Sequence, residues 1–399
     1  MAESLGPYLS ELRGTALDGR PPQAARLEWD DRLTAWESAS PIRLPLCDLM
    51  AAAGLDRLAV TLYFALGLPE EDPRFRRLGP GPLTGCWDDP AERARGRRAL
   101  AGLAAAGLVS EAEGLLWPDP LIWDAVRGNP PQGYESPEDL PVLEELILPD
   151  ATRRRGAAAL GLLRADTCMC LAVRGPQASG RRTLLRAVAR ALGRGVLRLD
   201  DPALADPGPR AAGALATIMH ALPVITLDPA PGEAARLPRL TAYTGPVGVR
   251  LPAHGGLESD GTAATVRLGI PAAAARARHW MVALGAHAPA DLNELADNHR
   301  MTGGTIRRIA RAAVAEAAAD GRDRVTPADV ATAGSTVRAE LFGPLAEPVP
   351  VTGGWDHLVV NPHTHEELLL LQLRCRHREQ LSGALPAALG SGSGPGVRA

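Results

Sequence analysis

The stretch CMCLAVRGPQASGRRTLLRAVARAL, residues 168–192, runs from an apolar segment through a glycine-bounded turn into an amphipathic pattern. The apolar half reads as a buried strand, and TLLRAVARAL places its apolar residues at helical spacing. Between them Gly175, Pro176, Gln177, Ala178, Ser179 and Gly180 have the rhythm of a phosphate-binding loop. Such a loop needs a strand that stops abruptly, glycines that let N–H groups turn inward, and a helix whose positive end faces an anion. Where that pattern calls for lysine and then serine or threonine, this chain has Arg181 and Arg182.

The substitution changes the expected chemistry. Lysine reaches the β and γ phosphates of a bound nucleotide, and the hydroxyl after it ligates magnesium. Arg181 keeps the charge in a larger planar fork, whereas Arg182 ligates no cation. Thr183 lies one residue further along the helix, a rotation of about 100° that turns it away from the metal position. Arg182 is instead expected to place a guanidinium where the metal would sit, giving a pocket that holds phosphate without Mg2+. The second half of such a site is an apolar strand ending in aspartate, read here in LPVITLDPAPGE. Asp228 is that aspartate, but Pro229 takes the place of a water-activating glutamate, and Glu233 comes only past two prolines, Pro229 and Pro231. No catalytic residue is assigned, with Asp228 as the remnant.

Composition narrows the alternatives. The 399 residues suffice for two or three domains, since one core stops growing near 250–300 residues. All 43 basic residues are arginine, so no site here uses a lysine nucleophile or Schiff base. A formal charge of -3 gives no general pull toward nucleic acid or anionic membrane. The five cysteines, Cys47, Cys86, Cys168, Cys170 and Cys375, are scattered, and no signal-type N-terminus or long apolar run appears. A cytoplasmic, reduced protein without a membrane segment is expected, with Cys168 and Cys170 on a buried strand.

Residues 1–24 read as a flexible leader, and 25–130 as a helical or winged-helix-like domain in which VSEAEGLLWPDPLIWDAV forms a hairpin and a short helix. Arg93, Arg95, Arg97 and Arg98 gather on one helix there, but Asp88, Asp89 and Glu92 precede and interrupt them. A solvated face is the expected role, and nucleic acid is not an expected partner. The proline-rich residues 131–150 read as a linker. Five apolar runs alternate with helical patterns over 151–275, which argues for a parallel sheet covered on both faces. Four helical segments fill 276–345, the last opened by Thr326 as N-cap and Pro327 as first helical residue. His357, His363 and His365 lie in the tail that follows, and are read as surface histidines rather than metal ligands.

This order of pieces resembles the AAA+ ATPases: an α/β P-loop NTPase core, then a helical lid, preceded by the N-terminal module. LADNHRMTGGTIRRIARAAVAEAA, residues 295–318, looks like the family's helix that returns the lid toward the nucleotide. The resemblance implies ATP or ADP as ligand, lid contacts from Gly303, Gly304 and Arg307, with Arg308 and Thr302 beside them, and a polar sensor at Thr241 or Thr244. It implies a homo-oligomeric, hexameric ring acting on a protein substrate or assembly partner. In residues 346–399, GGWDHLVVNPHTHEELLLLQLRCRHREQL resembles the lead-in to a second, truncated AAA+ module. The whole is similar to bacterial tandem ATPases encoded with contractile injection systems, with this chain as the degenerate first module. The implied function is a regulatory or structural ATP-binding module, an ATPase by family whose own site is inactive or weak, supporting remodelling by the second module. The alternatives are a nucleotide-free adaptor scaffold and a DNA-linked switch.

Overall fold

The computed structural model describes residues 23–72, 90–112, 115–199, 208–289, 292–298, 300–342 and 354–384. Nearly all of the leader, Cys86, Asp88, Asp89 and the glycine-rich tail lie outside the described residues. The chain divides into two compact units: Met1–Leu140 with Leu192–Thr226 and Arg236–Gly248, and Pro141–Ala191 with Leu227–Ala235 and Val249–Ala399.

In the first unit come helices α1 (Gln23–Ala39), α2 (Pro45–Ala53), α3 (Arg57–Glu71) and α4 (Pro90–Ala105). Strands β1 (Val109–Ala112) and β2 (Leu115–Pro118) pair antiparallel as a hairpin, and α5 (Pro120–Val126) follows. Asp119 starts that helix, its carboxylate accepting from the amides of Leu121 and Ile122 at 3.0 and 3.2 Å. Tyr63, Phe64 and Trp123 meet edge to face with centroids 5.4–6.1 Å apart. Arg95 lies 3.6 Å from the carboxylate of Asp56, both well exposed.

Helices α2 to α5 share one core with α8 (Gly208–Ile218) and with strands β5 (Gly195–Arg198) and β6 (Ala221–Thr226). Leu62, Leu103 and Ile122 belong to the same buried cluster as Leu197, Leu215 and Ala221. Arg43 donates to the carbonyls of Thr217 and Ile218 at the end of α8, where the helix dipole favours a cation, and pairs with Asp48 at 2.6 Å.

The second unit holds α6 (Asp150–Arg164), β4 (Cys170–Arg174), α7 (Arg181–Ala191) and β10 (Ala263–Arg267). Every residue of β4 is buried, as a parallel strand covered on both faces requires. Along α7, Leu184, Leu185 and Val188 face inward while Arg182 and Arg190 are exposed. Helices α9 (Ala273–Leu284), α10 (Leu292–Asn298), α11 (Gly303–Ala319) and α12 (Pro327–Phe342) follow. Trp280, Ile306, Ile309, Ala313 and Val330 form their common core. Arg276, fully buried, ties them by donating to the carbonyls of Ala296 and Pro271 at 2.8 and 2.7 Å. Asp329 accepts from the amide and hydroxyl of Thr326 and from Arg322, a reciprocal cap at the start of α12. The last described element is α13 (Pro362–Ala384).

Strands β3 (Tyr134–Glu135), β7 (Ala234–Arg236), β8 (Val247–Leu251) and β9 (Gly256–Glu258) complete the set. The main sheet has the order β10-β4-β8-β6-β5-β3. β10 runs parallel to β4 and β6 parallel to β5, whereas β3 is antiparallel to β5. The architecture is α/β, a mostly parallel mixed sheet with helices. Five strands match the five apolar runs of the sequence, and β3 is a correction to that count. At two residues it is too short to show a period, and it comes from a proline-rich stretch. Among the described residues no single helix is long and apolar enough to cross a membrane.

Candidate functional site

The turn after β4 is built by two glycines needed for different reasons. At Gly175 a Cβ would stand 2.5 Å from the Leu268 carbonyl oxygen and 2.7 Å from the Ser179 hydroxyl, so only hydrogen fits. At Gly180 nothing lies within 4 Å of a Cβ, but φ is +93°, a conformation costly for any side chain. Ala178, at φ +58°, also takes the left-handed region. The Gly175 amide donates to the Leu251 carbonyl at 3.3 Å, the Ser179 amide to Pro176 at 3.3 Å, and the Leu184 amide to Gly180 at 2.9 Å. The last of these opens α7. The loop thus lies at the carboxyl end of β4, where parallel sheets place their ligand crevices.

Arg181 is half-buried, and its Nη1 donates to the Leu251 carbonyl at 2.5 Å, the same carbonyl that receives Gly175. Burial lowers its pKa from the ordinary arginine value, and the charge of Asp228 opposes that shift. Asp228 is therefore close enough to act on Arg181 electrostatically, while its own side chain is exposed. Pro229, next in the chain, is buried. The Glu233 carboxylate accepts from the Ala230 amide at 3.2 Å, closing its own turn. Arg182 is exposed and Thr183 half-buried.

The start of α11 meets the tip of the loop. Gly304 donates its amide to the Ala178 carbonyl at 2.9 Å, and the Thr302 hydroxyl donates to the Gln177 carbonyl at 3.3 Å. A Cβ on Gly304 would fall 2.5 Å from that Ala178 oxygen, so the approach is backbone to backbone. Gly303 lies against the His279 ring, whose pKa is lowered by burial and then by Arg307 and Arg278. Arg307 and Arg308 are exposed on α11. The structure therefore gathers Gly175 to Arg181, Asp228, Thr302 and Gly304. It places Arg182, Arg307 and Arg308 outward, and puts Thr241 and Thr244 in exposed positions ahead of β8 in the first unit.

The role of the Leu251 carbonyl was not legible in the sequence, because a backbone acceptor becomes visible only once strands are paired. Cys168 and Cys170 are buried, and burial pushes the Cys170 thiol up to about 12. The Cys168 sulfur sits 3.0 Å from the Cys170 carbonyl and accepts from the Ala264 amide at 3.1 Å, a packing role. No cluster of three acidic, cysteine or histidine side chains suited to a metal occurs among the described residues.

No family model matches the chain, and no curated protein does. Among solved structures, a Thermotoga maritima RuvB variant is similar over 49% of this chain and 73% of its own, at 14% identity and a TM-score of 0.37. A katanin structure concerned with self-assembly is similar over 57% of this chain and 92% of its own, at 13% identity and a TM-score of 0.38. A second Thermotoga maritima RuvB variant covers 49% of this chain and 71% of its own, at 12% identity and a TM-score of 0.33. RuvB and katanin are AAA+ ATPases. Likenesses at these scores assign this chain no function.

Proposed function

We propose that this chain is an AAA+-type module that binds ATP or ADP and turns it over weakly or not at all. One observation carries the reading: Arg181 follows the left-handed turn through Ala178 and Gly180 and sits within electrostatic reach of Asp228. That is a phosphate-binding frame with a cation at its mouth and an aspartate opposite.

The same residues withhold the rest of the reaction. Magnesium needs several oxygen ligands in near-octahedral geometry, and the site brings one carboxylate, Asp228, with an arginine in place of the hydroxyl directly after Arg181. The residues do not fit the metal. A general base must reach the water it activates, yet buried Pro229 holds that place and Glu233 is engaged in its own turn. In this proposal 25–130 is a helical or winged-helix-like domain, 151–275 the degenerate core, 276–345 its lid and 346–399 the approach to a second module. A cytoplasmic homo-oligomeric ring, acting with that module on a protein substrate or assembly partner, belongs to the same proposal.

A gain of function tests it. Arg181→Lys, Arg182→Thr and Pro229→Glu together restore the residue types that hydrolysis needs. Magnesium-dependent phosphate release is expected from the triple variant and not from the parent chain. Release from the parent that the three changes leave unaltered would contradict the proposal. The second reading, a nucleotide-free scaffold, draws on Arg181 being spent on the Leu251 carbonyl and Gly304 lying on the Ala178 carbonyl.

A further inference from the structure

A cavity of about 710 Å³ opens between the first turns of α6 and the carboxyl ends of β4 and β10, within the volume range of small-molecule sites. Thr152, Arg155, Arg174, Gly255, Thr265 and Arg267 line it, and none of the loop residues 175–183 does. Among the described residues no carboxylate lines it either.

Arg174 is buried at 9% exposure, its Nη1 donating to the Gly255 carbonyl at 2.7 Å and to the His254 carbonyl at 3.4 Å. Arg155 is held by its Nε, which donates to the Thr265 carbonyl at 3.3 Å. Arg267 stands directly opposite Arg174 in the β4–β10 register. Like charges directly opposite on neighbouring strands repel, and these lack a carboxylate partner among the described residues. Burial, then Arg267, lowers the Arg174 pKa, as expected where nearby charge is uncompensated. Carbonyl contacts fix two of the guanidiniums yet leave most of their five N–H donors unspent.

We infer that this cavity is an anion site for a small phosphate-bearing molecule, gripped by Arg155, Arg174 and Arg267. Guanidinium forks match phosphate oxygens bidentately, and three such charges are best offset by a ligand with two or more of its own. Pyrophosphate is a suitable probe, with citrate as a carboxylate of comparable charge.

The test is calorimetric titration of the full chain at low salt with each anion, repeated on Arg155→Gln/Arg267→Gln and on Arg181→Gln. Both side chains in the double variant are exposed, and its urea unfolding curve is compared with the parent's. If the pair does not fold, Arg267→Gln alone serves. A saturable pyrophosphate event is expected, weakened about tenfold or more in the cavity variant and retained in Arg181→Gln, with citrate about tenfold weaker or worse. The inference fails if pyrophosphate does not saturate, or if the cavity variant binds it as the parent does. It also fails if Arg181→Gln abolishes the event, or if citrate binds equally well.

Discussion

At the residue scale, the loop rests on backbone conformations that few side chains accept. Gly180→Ala places a Cβ at φ +93° with open space around it, so the cost is conformational and is expected to be about 1–3 kcal/mol in urea unfolding. An unchanged midpoint would mean that the turn relaxes freely. His220 offers a second reading at this scale. Burial, then Arg194 and Arg43, pull its pKa down to about 4 from 6.5, with Asp48 opposing. Between those values the unfolded chain takes up a proton that the folded chain refuses, so stability falls as pH drops through the window. His220→Asn, which tolerates the left-handed backbone at φ +48°, is expected to flatten that fall in unfolding curves at pH 7 and 4.5. Equal slopes for parent and variant would remove His220 from the account. The double arginine was legible in the sequence as a departure from lysine and hydroxyl. Where Arg181 reaches was not, since its partner is a backbone oxygen on a strand 70 residues away.

At the scale of elements, strand, loop and helix over residues 168–192 were legible because one buried strand and one amphipathic helix carry strong periods. The docking of α11 on the loop was legible only as the glycine pair 303–304. What made it structural is the 2.9 Å bond from the Gly304 amide to Ala178, which leaves no room for a side chain. Gly304→Val is expected to break that contact, speeding hydrogen exchange at the first turn of α11. Amides around Ile309 and Ala313, in the bundle core, should keep their protection. Uniform loss along the helix would show instead that the bundle itself depends on the contact. Strand β3 escaped notice for lack of length, and the arginine cavity because Arg174 and Arg267 meet only through strand register and Arg155 only through its helix lying beside Thr265.

At the scale of the whole molecule, hydrophobic alternation announced an α/β sheet, and burial delivered it. Sharing of one core by helices α2 to α5 and α8 was beyond sequence reading, because apolar faces do not say which partner covers them. The central claim is that a loop with two arginines still holds nucleotide while lacking the means to cleave it. Calorimetric titration of the full chain with ATP and ADP, with and without magnesium, tests it most directly, alongside a phosphate-release assay. Saturable binding that is indifferent to magnesium, without phosphate release, is the predicted result. Absence of binding, or binding that requires magnesium and ends in turnover, would contradict it.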